Sequence, residues 1–311
     1  MIDGKNYYSQ ENSVKFMSVS QFKAFSECEA MAEAEISGEF KRETTTAMLI
    51  GSYVDAWFEG KIEDFRALHP EIFLKNGCLK ADFIQAEAII KRISTDEEFM
   101  KYMSGEKQKI FTGNIAGVDF KGKLDSYHAG KCIVDLKVMR DFEPVWKNGV
   151  KQHFIEAWGY DIQGAVYQEL VFQATGEKLP FVICAVTKEK VPDLAILSIP
   201  QERLDYCLEI VKSNVVNFQE VKTGKIPPAR CGKCDFCKAT KKLDGAVDYT
   251  ETVTWAERQK NAHVSVSEIS NVITLPNTEN AVTEAVEGKI KHKKKSKKKH
   301  GKKSRQIIIN L

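Results

Sequence analysis

The sequence lacks two features that would place it in a membrane or outside the cell. It has no apolar run long enough to span a bilayer and no N-terminal leader of the secretory type. We therefore expect a cytoplasmic protein without a membrane partner. Disulfides are rare in a reducing cytoplasm, so we expect the eight cysteines to be thiols or metal ligands.

Acidic residues are absent from the end of the chain, residues 289–311, although the whole chain contains 43. The same segment carries 11 lysines and arginines, so the net charge of +3 hides a remainder of −8. Residues 243–288 contain eight acids and two bases, a composition typical of disordered linkers. We predict a folded domain over residues 1–242, an acidic disordered linker over 243–288 and a disordered basic tail over 289–311. Such a tail attracts nucleic acid, or is simply solvated.

Two apolar segments predict a β-hairpin. The segments KLDSY (residues 123–127) and KCIVDLKVM (residues 131–139) are typical of strands, and Ala129 with Gly130 between them predicts a tight turn. Side chains alternate along a strand, so the even-numbered apolar residues of the second segment should face one side of the sheet. The odd-numbered positions 135 and 137 should face the other side.

Those positions hold an acid and a lysine, Asp135 and Lys137, and Asp125 on the partner strand should lie near them. Carboxylate oxygens are the ligands that Mg²⁺ prefers, and Mg²⁺ is usually held by one or two of them plus water. A neighbouring lysine can orient or help to deprotonate a metal-bound water. The tripeptide Asp-x-Lys alone is uninformative in a lysine-rich chain, so a surface salt bridge is the alternative interpretation.

Two further segments have helical periodicity. Residues 152–173 predict a helix in which Gln163 and Tyr167 share a face, where they could bind phosphate oxygens or a metal-bound water, or form ordinary helix surface. Residues 44–61 predict a helix in which Asp55 has apolar neighbours and Gly51 allows close packing. A buried acid needs a partner or a metal. A solvated helix face is the alternative for Asp55.

Three closely spaced cysteines, Cys231, Cys234 and Cys237, form a CxxCxxC motif. Thiolates at this spacing suit a soft metal, although idle surface cysteines are the alternative. Such a site needs a fourth ligand. The candidates are Cys28, Cys78, Cys132, Cys184 and Cys207, of which Cys132 and Cys184 lie in apolar runs typical of the core.

The order of the acidic and polar motifs resembles a known nuclease superfamily. In chain order the motifs are Gly51-x-x-x-Asp55, Asp125, Asp135-Leu136-Lys137 and Gln163-x-x-x-Tyr167. This order is similar to that of the PD-(D/E)xK nucleases of the RecB and lambda-exonuclease group, and most similar to the RecE-like exonucleases of phages and prophages. The resemblance spans about residues 15 to 240. One position departs from it, since the group usually has histidine where Asp55 stands.

The resemblance implies an α/β fold with a restriction-endonuclease-like core, a central mixed sheet flanked by helices. It implies that Asp125 and Asp135 bind Mg²⁺ or Mn²⁺, with Asp55 as a further candidate ligand. It places Lys137 on the nucleophilic water. Gln163 and Tyr167 would contact the DNA backbone.

The segment SVSQFKAFSECEA, residues 18–30, resembles the opening of AddB-like nucleases with an iron-sulfur cluster. In those proteins one cysteine before the nuclease core joins three after it, which implies a [4Fe-4S] cluster on Cys28, Cys231, Cys234 and Cys237. Such a site would close a loop of about 200 residues. The family's last cysteine spacing is usually longer than the one here, so Zn²⁺ stays open as the alternative.

We therefore expect a metal-dependent deoxyribonuclease, an exonuclease that resects linear double-stranded DNA for phage-type recombination in a bacterial or phage-infected cell. The resemblance also implies a single-strand annealing protein as partner, and it allows a homo-oligomer. One alternative is an AddB-like or Cas-type nuclease within a larger complex. Another is a non-catalytic DNA-binding module whose metal site is structural.

Overall fold

The computed structural model describes residues 2–147, 149–243 and 245–246. Up to Thr240, the described residues form one compact unit. Nearly all of the predicted linker and the whole of the predicted tail lie outside the described residues, so both stay predictions, as do the limits of the folded domain. Within the described residues, no helix has the length and apolar character needed to cross a membrane.

Helices precede the strands of the main sheet and also connect them. In chain order the helices are α1 Gln10–Lys15, α2 Val19–Glu27, α3 Glu29–Ser37, α4 Thr46–Phe58, α5 Ile62–Leu68, α6 Ala81–Ser94, α7 Glu97–Tyr102, α8 Phe154–Ala157, α9 Tyr160–Thr175, α10 Gln201–Lys222 and α11 Asp235–Ala239, with a 3-10 helix Pro70–Ile72. The strands are β1 Glu106–Ile115, β2 Val118–His128, β3 Cys132–Met139, β4 Val145–Lys147, β5 Val150–Gln152, β6 Phe181–Thr187 and β7 Leu194–Ser198.

The main sheet is mixed. Its strand order is β1-β2-β3-β6-β7, and β3 pairs with β6 in parallel while the other neighbours are antiparallel. All seven residues of β6 are buried, as an apolar strand covered on both faces should be. A parallel pair needs a crossover connection, and α8 and α9 lie on the one between β3 and β6. β4 and β5 form a separate two-stranded sheet.

Each face of the sheet has its own apolar core. Val134 and Leu136 of β3 pack with residues of α4 and α6 on one face. Ile133 packs with residues of α9 and α10 on the other. Asp135 and Lys137 therefore point toward the second face, as strand alternation predicts. The prediction of a central mixed sheet flanked by helices is confirmed.

The predicted hairpin is confirmed, since β2 and β3 pair antiparallel and Gly130 takes a positive φ of 69° in the turn. The predicted helix over 44–61 is α4. The expected close packing at Gly51 is wrong, because a Cβ there would meet no atom of the described residues within 4 Å.

The single helix predicted over 152–173 is wrong, because the chain breaks into α8 and α9. Gly159 between them has a φ of +61°, in the left-handed region that favours glycine. A second glycine, Gly164, lets α9 approach the sheet closely, since a Cβ there would stand 2.5 Å from Cδ1 of Phe181. This approach brings the polar side chains of α9 down to β3.

Candidate active site

One cleft of about 610 Å³ collects the residues that the nuclease motifs single out. Its lining includes Asp55, Asp125, Asp135, Lys137, Gln163 and Tyr167. They come from α4, two adjacent strands and α9, so the fold joins segments more than 100 residues apart in the chain.

Asp135 is held from two sides. Only 2% of the residue is exposed, its Oδ1 accepts a hydrogen bond of 2.7 Å from Nε2 of Gln163, and its Oδ2 forms an ion pair with the ammonium of Lys137. The salt bridge that was the alternative to a metal site does exist, but it is buried rather than at the surface. A buried ion pair of this kind does little for stability.

The carboxyl of Asp125 lies beside that pair. Its Oδ2 accepts a hydrogen bond of 2.9 Å from the backbone N–H of Leu136, and its Oδ1 accepts one of 3.3 Å from Nε2 of Gln108. Burial, together with the negative charge of Asp135, raises the pKa of Asp125 to about 7. Burial and the charge of Asp125 likewise raise the pKa of Asp55 well above its ordinary range.

These carboxyls fit a divalent cation. The buried Oδ2 of Asp135 has no partner among the described residues besides the ammonium of Lys137, and repulsion between the acids adds to burial in raising the pKa of Asp125 and Asp55. A cation would relieve this repulsion. Mg²⁺ is usually held by one or two carboxylates directly, at Mg–O distances of about 2.1 Å, and keeps several waters, which suits a site with these acids.

Gln163 and Tyr167 lie on adjacent turns of α9 and contact each other. Burial and the charge of Asp135 raise the pKa of the Tyr167 phenol far above its usual value. A hydrogen bond from Gln163 lowers this pKa, but by less. The phenol therefore stays protonated and can donate a hydrogen bond. The interpretation as ordinary helix surface is wrong for Tyr167, which is only 9% exposed.

Four cysteines come together at the C-terminal end of α2. They are Cys28, Cys231, Cys234 and Cys237. Their sulfurs all lie within 4.8 Å of one another, with Cys28 Sγ 3.5 Å from Cys237 Sγ and 3.7 Å from Cys234 Sγ. The remaining cysteines fall elsewhere: Cys132, Cys184 and Cys207 are buried in the core, and Cys78 is exposed.

Backbone N–H groups favour the thiolate form in this cluster. The N–H of Cys234 donates to Cys231 Sγ over 3.3 Å, and the N–H of Cys237 donates to Cys234 Sγ over 3.4 Å. Burial alone would raise the pKa of Cys231, but the N–H groups of Lys233 and Cys234 lower it to about 6. Burial raises the pKa of Cys28 and of Cys234. Thiolates are the metal-binding form of cysteine, so the lowered pKa of Cys231 and the mutual approach of the four sulfurs fit a soft metal.

Residues 18–240 match the family described as a PDDEXK-like domain of unknown function (DUF3799). The chain belongs to this family. This PDDEXK-like domain is also similar to a solved structure from Eubacterium rectale described as a "putative exonuclease". Sequence identity with it is 44%, the TM-score is 0.79, and the match covers 82% of this chain and 99% of that chain. Together these similarities support a nuclease.

Two other comparisons add nothing to the assignment of the PDDEXK-like domain. A solved structure named SSO0001 matches 73% of this chain and 98% of that chain with 13% identity and a TM-score of 0.29. No curated protein matches the chain. The narrower resemblance to RecE-like and AddB-like proteins therefore stays a prediction.

The cleft of the PDDEXK-like domain also holds residues that the motifs missed. They are Tyr7, Tyr8, Lys23, Lys61, Gln108, Lys121 and Lys123. Strand alternation could have found two of them, because Lys121 and Lys123 precede Asp125 at intervals of two on β2. The others come from segments far away in the chain. The positive charge of the four lysines in this set suits a phosphate backbone, although Glu59 and Asp64 also line the cleft.

Proposed function

We propose that this protein is a metal-dependent deoxyribonuclease that hydrolyses phosphodiester bonds from the ends of linear double-stranded DNA. The observation that carries the proposal is the convergence of Asp125, Asp135 and Lys137 in one lysine-rich cleft. The family and the exonuclease-like neighbour support the same chemistry. The RecE-like role in recombination, with a single-strand annealing partner, rests on the sequence resemblance.

The acids would hold Mg²⁺ or Mn²⁺, with Asp135 and Asp125 as the main ligands and Asp55 as a further one. The ion would supply Lewis-acid activation of water and of the phosphate. Gln163 holds Oδ1 of Asp135, which fixes the rotation of that carboxylate. The N–H of Leu136 fixes Asp125 in the same way.

Lys137 acts in this proposal as a charged donor rather than as a base. Burial alone would lower its pKa, but the charges of Asp135 and Asp125 raise it above the ordinary value. A protonated ammonium can orient the attacking water and stabilise negative charge on the phosphate. The protonated phenol of Tyr167 can donate to a phosphate oxygen, and Lys123 can hold a neighbouring phosphate. The ammonium of Lys121 donates instead to the backbone carbonyl of Tyr7, and Lys121 is only 3% exposed.

The four cysteines would hold a [4Fe-4S] cluster, with Zn²⁺ as the alternative. The mutual approach of the four sulfurs supports a metal of either kind. The ligand Cys28 lies 209 positions before Cys237. The metal would therefore fasten the start of the domain to its end.

The decisive experiment is digestion of linear duplexes labelled at one end or the other, with Mg²⁺ and with a chelator. A covalently closed circular duplex of the same sequence serves as control. We expect release of mononucleotides or short products from linear DNA with Mg²⁺ only, and an intact circle. Cleavage of the circle at a similar rate would identify an endonuclease, and no cleavage of any substrate would contradict the proposal.

A further inference from the structure

Lys23 extends from α2 toward the ion pair of the cleft. It lines the cleft, and its Nζ donates a hydrogen bond of 3.0 Å to the carbonyl oxygen of Trp158. The same Nζ lies 5.4 Å from the ring centroid of Tyr160, and Nζ of Lys137 lies 4.8 Å from that centroid. One aromatic ring therefore contacts two ammonium groups, one on a nuclease motif and one outside all of the motifs.

Two backbone segments fix the position of the Lys23 side chain, the start of α2 and the turn at Gly159. α2 begins with a capping box, in which Ser18 accepts from the N–H of Gln21 and Gln21 accepts from the N–H of Ser18. Lys23 follows in the next turn. At the break between α8 and α9, a Cβ on Gly159 would stand 3.0 Å from Cδ of Lys23. The left-handed glycine therefore provides the space in which the lysine stem lies.

The charges around Lys23 leave it able to bind an anion. Burial, together with the positive charge of Lys137, lowers the pKa of Lys23 to about 8, while Asp135 and Glu27 act in the opposite direction. An ammonium has three N–H donors, and the carbonyl of Trp158 takes one. An anion between the two lysines would replace their repulsion by attraction.

We propose that Lys23 is a further phosphate-binding residue of the active site, donating to a non-bridging oxygen of the phosphate under attack beside Lys137. This inference rests on the proposed function. In the transition state negative charge grows on those oxygens, so a charged donor fixed in a partly buried cleft lowers the barrier. Lys23 would make this contact without disturbing its bond to Trp158.

A purely structural role is the competing explanation, since a lysine can cap the carbonyl groups at the end of a helix. The chain offers a matched control in Lys147. Its Nζ donates a hydrogen bond of 2.7 Å to the carbonyl oxygen of Ala157, one residue before Trp158. Lys147 does not line the cleft. Removing the charge of Lys147 therefore tests capping outside the cleft, together with the ion pair that Lys147 forms with Glu27 over 3.7 Å.

The test compares Lys23→Gln, Lys23→Arg and Lys147→Gln in single-turnover cleavage of linear duplex at saturating DNA. Glutamine keeps a donor for the carbonyl but loses the charge. We expect Lys23→Gln to be about 100-fold slower, the range for losing one transition-state donor. Lys23→Arg should recover part of the rate, and Lys147→Gln should stay near the wild type. Equal losses in both glutamine variants, or a wild-type rate in Lys23→Gln, would overturn the proposal.

Sulfur substitution supplies a readout that a structural role does not move. In the wild type, one phosphorothioate diastereomer at the cleaved position should be slowed more than the other. In Lys23→Gln the slowing should shrink for the diastereomer with sulfur at the oxygen that Lys23 contacts, because that oxygen has lost its donor, and should stay for the other diastereomer. Unchanged slowing of both diastereomers would show that Lys23 contacts neither oxygen.

DNA binding with a chelator separates this proposal from the proposed function. Each phosphate contact on duplex DNA contributes about 0.9 to the slope of log affinity against log salt. We expect Lys23→Gln to flatten that slope by about this amount, and Lys147→Gln to leave it unchanged. If the wild type binds DNA without cutting it, the proposed function fails while a flatter slope still supports Lys23. An unchanged slope in Lys23→Gln would overturn the phosphate contact.

Discussion

At the scale of single residues, the site is organised around Asp135. One of its oxygens is held by Gln163 and the other contacts Lys137. Its charge also contributes to the raised pKa of Asp125. Changing this carboxylate therefore alters three neighbours at once, while a change at Lys137 removes one charge.

We predict that Asp135→Asn and Lys137→Ala each slow cleavage by at least about 100-fold, because each removes a charge that acts on the reacting phosphate or its water. Asp141→Asn is the control, since Asp141 pairs with the exposed Arg140 outside the cleft. Single-turnover rates and thermal unfolding should be measured together. Wild-type turnover in either cleft variant would remove these residues from the mechanism.

Asp125 should give the metal-free protein a specific pH dependence. Burial and the charge of Asp135 raise its pKa from 3.8 to about 7. Between these values the unfolded chain loses a proton that the folded chain keeps. The free energy of unfolding should therefore fall as pH rises through this range. This contribution to the fall in the free energy of unfolding should be absent in Asp125→Asn.

Chemical unfolding at a series of pH values with a chelator checks this prediction by the difference between wild type and variant. Mg²⁺ should reverse the loss at pH 8, where the carboxylate is free to bind it. Parallel pH curves for the two proteins would show that Asp125 has an ordinary pKa.

At the scale of helices and strands, local periodicity explains what could be predicted. The alternation of side chains along residues 131–139 predicts both the strand β3 and the shared face of Asp135 and Lys137. The break at Gly159 could not be predicted in the same way, because apolar spacing continues through it. Lys23 was missed because only tertiary packing brings α2 onto that break.

We predict that Gly159→Ala lowers the free energy of unfolding more than Gly176→Ala does. Both glycines have a positive φ, which costs an L-residue about 1–2 kcal/mol. A Cβ at Gly176 meets nothing within 4 Å, whereas a Cβ at Gly159 meets Lys23. Gly159→Ala should also slow cleavage. Urea unfolding and single-turnover rates test both points, and equal effects of the two variants would mean that the stem of Lys23 adapts without cost.

At the scale of the whole molecule, α2 connects the cleft with the cysteine cluster. Residues 18–21 and Lys23 line the cleft, and Cys28 follows the last residue of the helix. The Glu29 carboxylate adds a second contact between the two ends of the domain, because it accepts a hydrogen bond of 2.8 Å from the N–H of Ala229. The metal site would therefore fix the helix that carries Lys23.

We predict that protein purified without oxygen is brown and contains iron, and that Cys28→Ser loses both colour and metal. Loss of the metal should lower the melting temperature, because it opens a loop of about 200 residues. Cys78→Ser is the control, since Cys78 is exposed and lies apart from the cluster. Colourless protein with one zinc per chain would identify Zn²⁺ instead. A Cys28→Ser variant that keeps its metal would remove Cys28 as a ligand.

The basic tail, residues 289–311, belongs to the same scale although it lies outside the described residues. It carries 11 positive charges, against a net −8 for the rest of the chain. The lysines of the cleft reach few phosphates, so most counterion release on binding duplex DNA should come from the tail. Deleting the tail should weaken binding at low salt and flatten the salt slope by several units, at about 0.9 per phosphate.

The cleavage rate at saturating DNA should change little on this deletion, because the residues proposed to act on the phosphate all lie in the cleft. A tail with the same length but its lysines replaced by glutamine is the matched control, and it should behave like the deletion. Filter binding across a salt series and single-turnover cleavage measure the two effects separately. An unchanged slope would show that the tail does not contact DNA. A lost saturated rate would mean that the tail takes part in presenting the DNA end to the cleft.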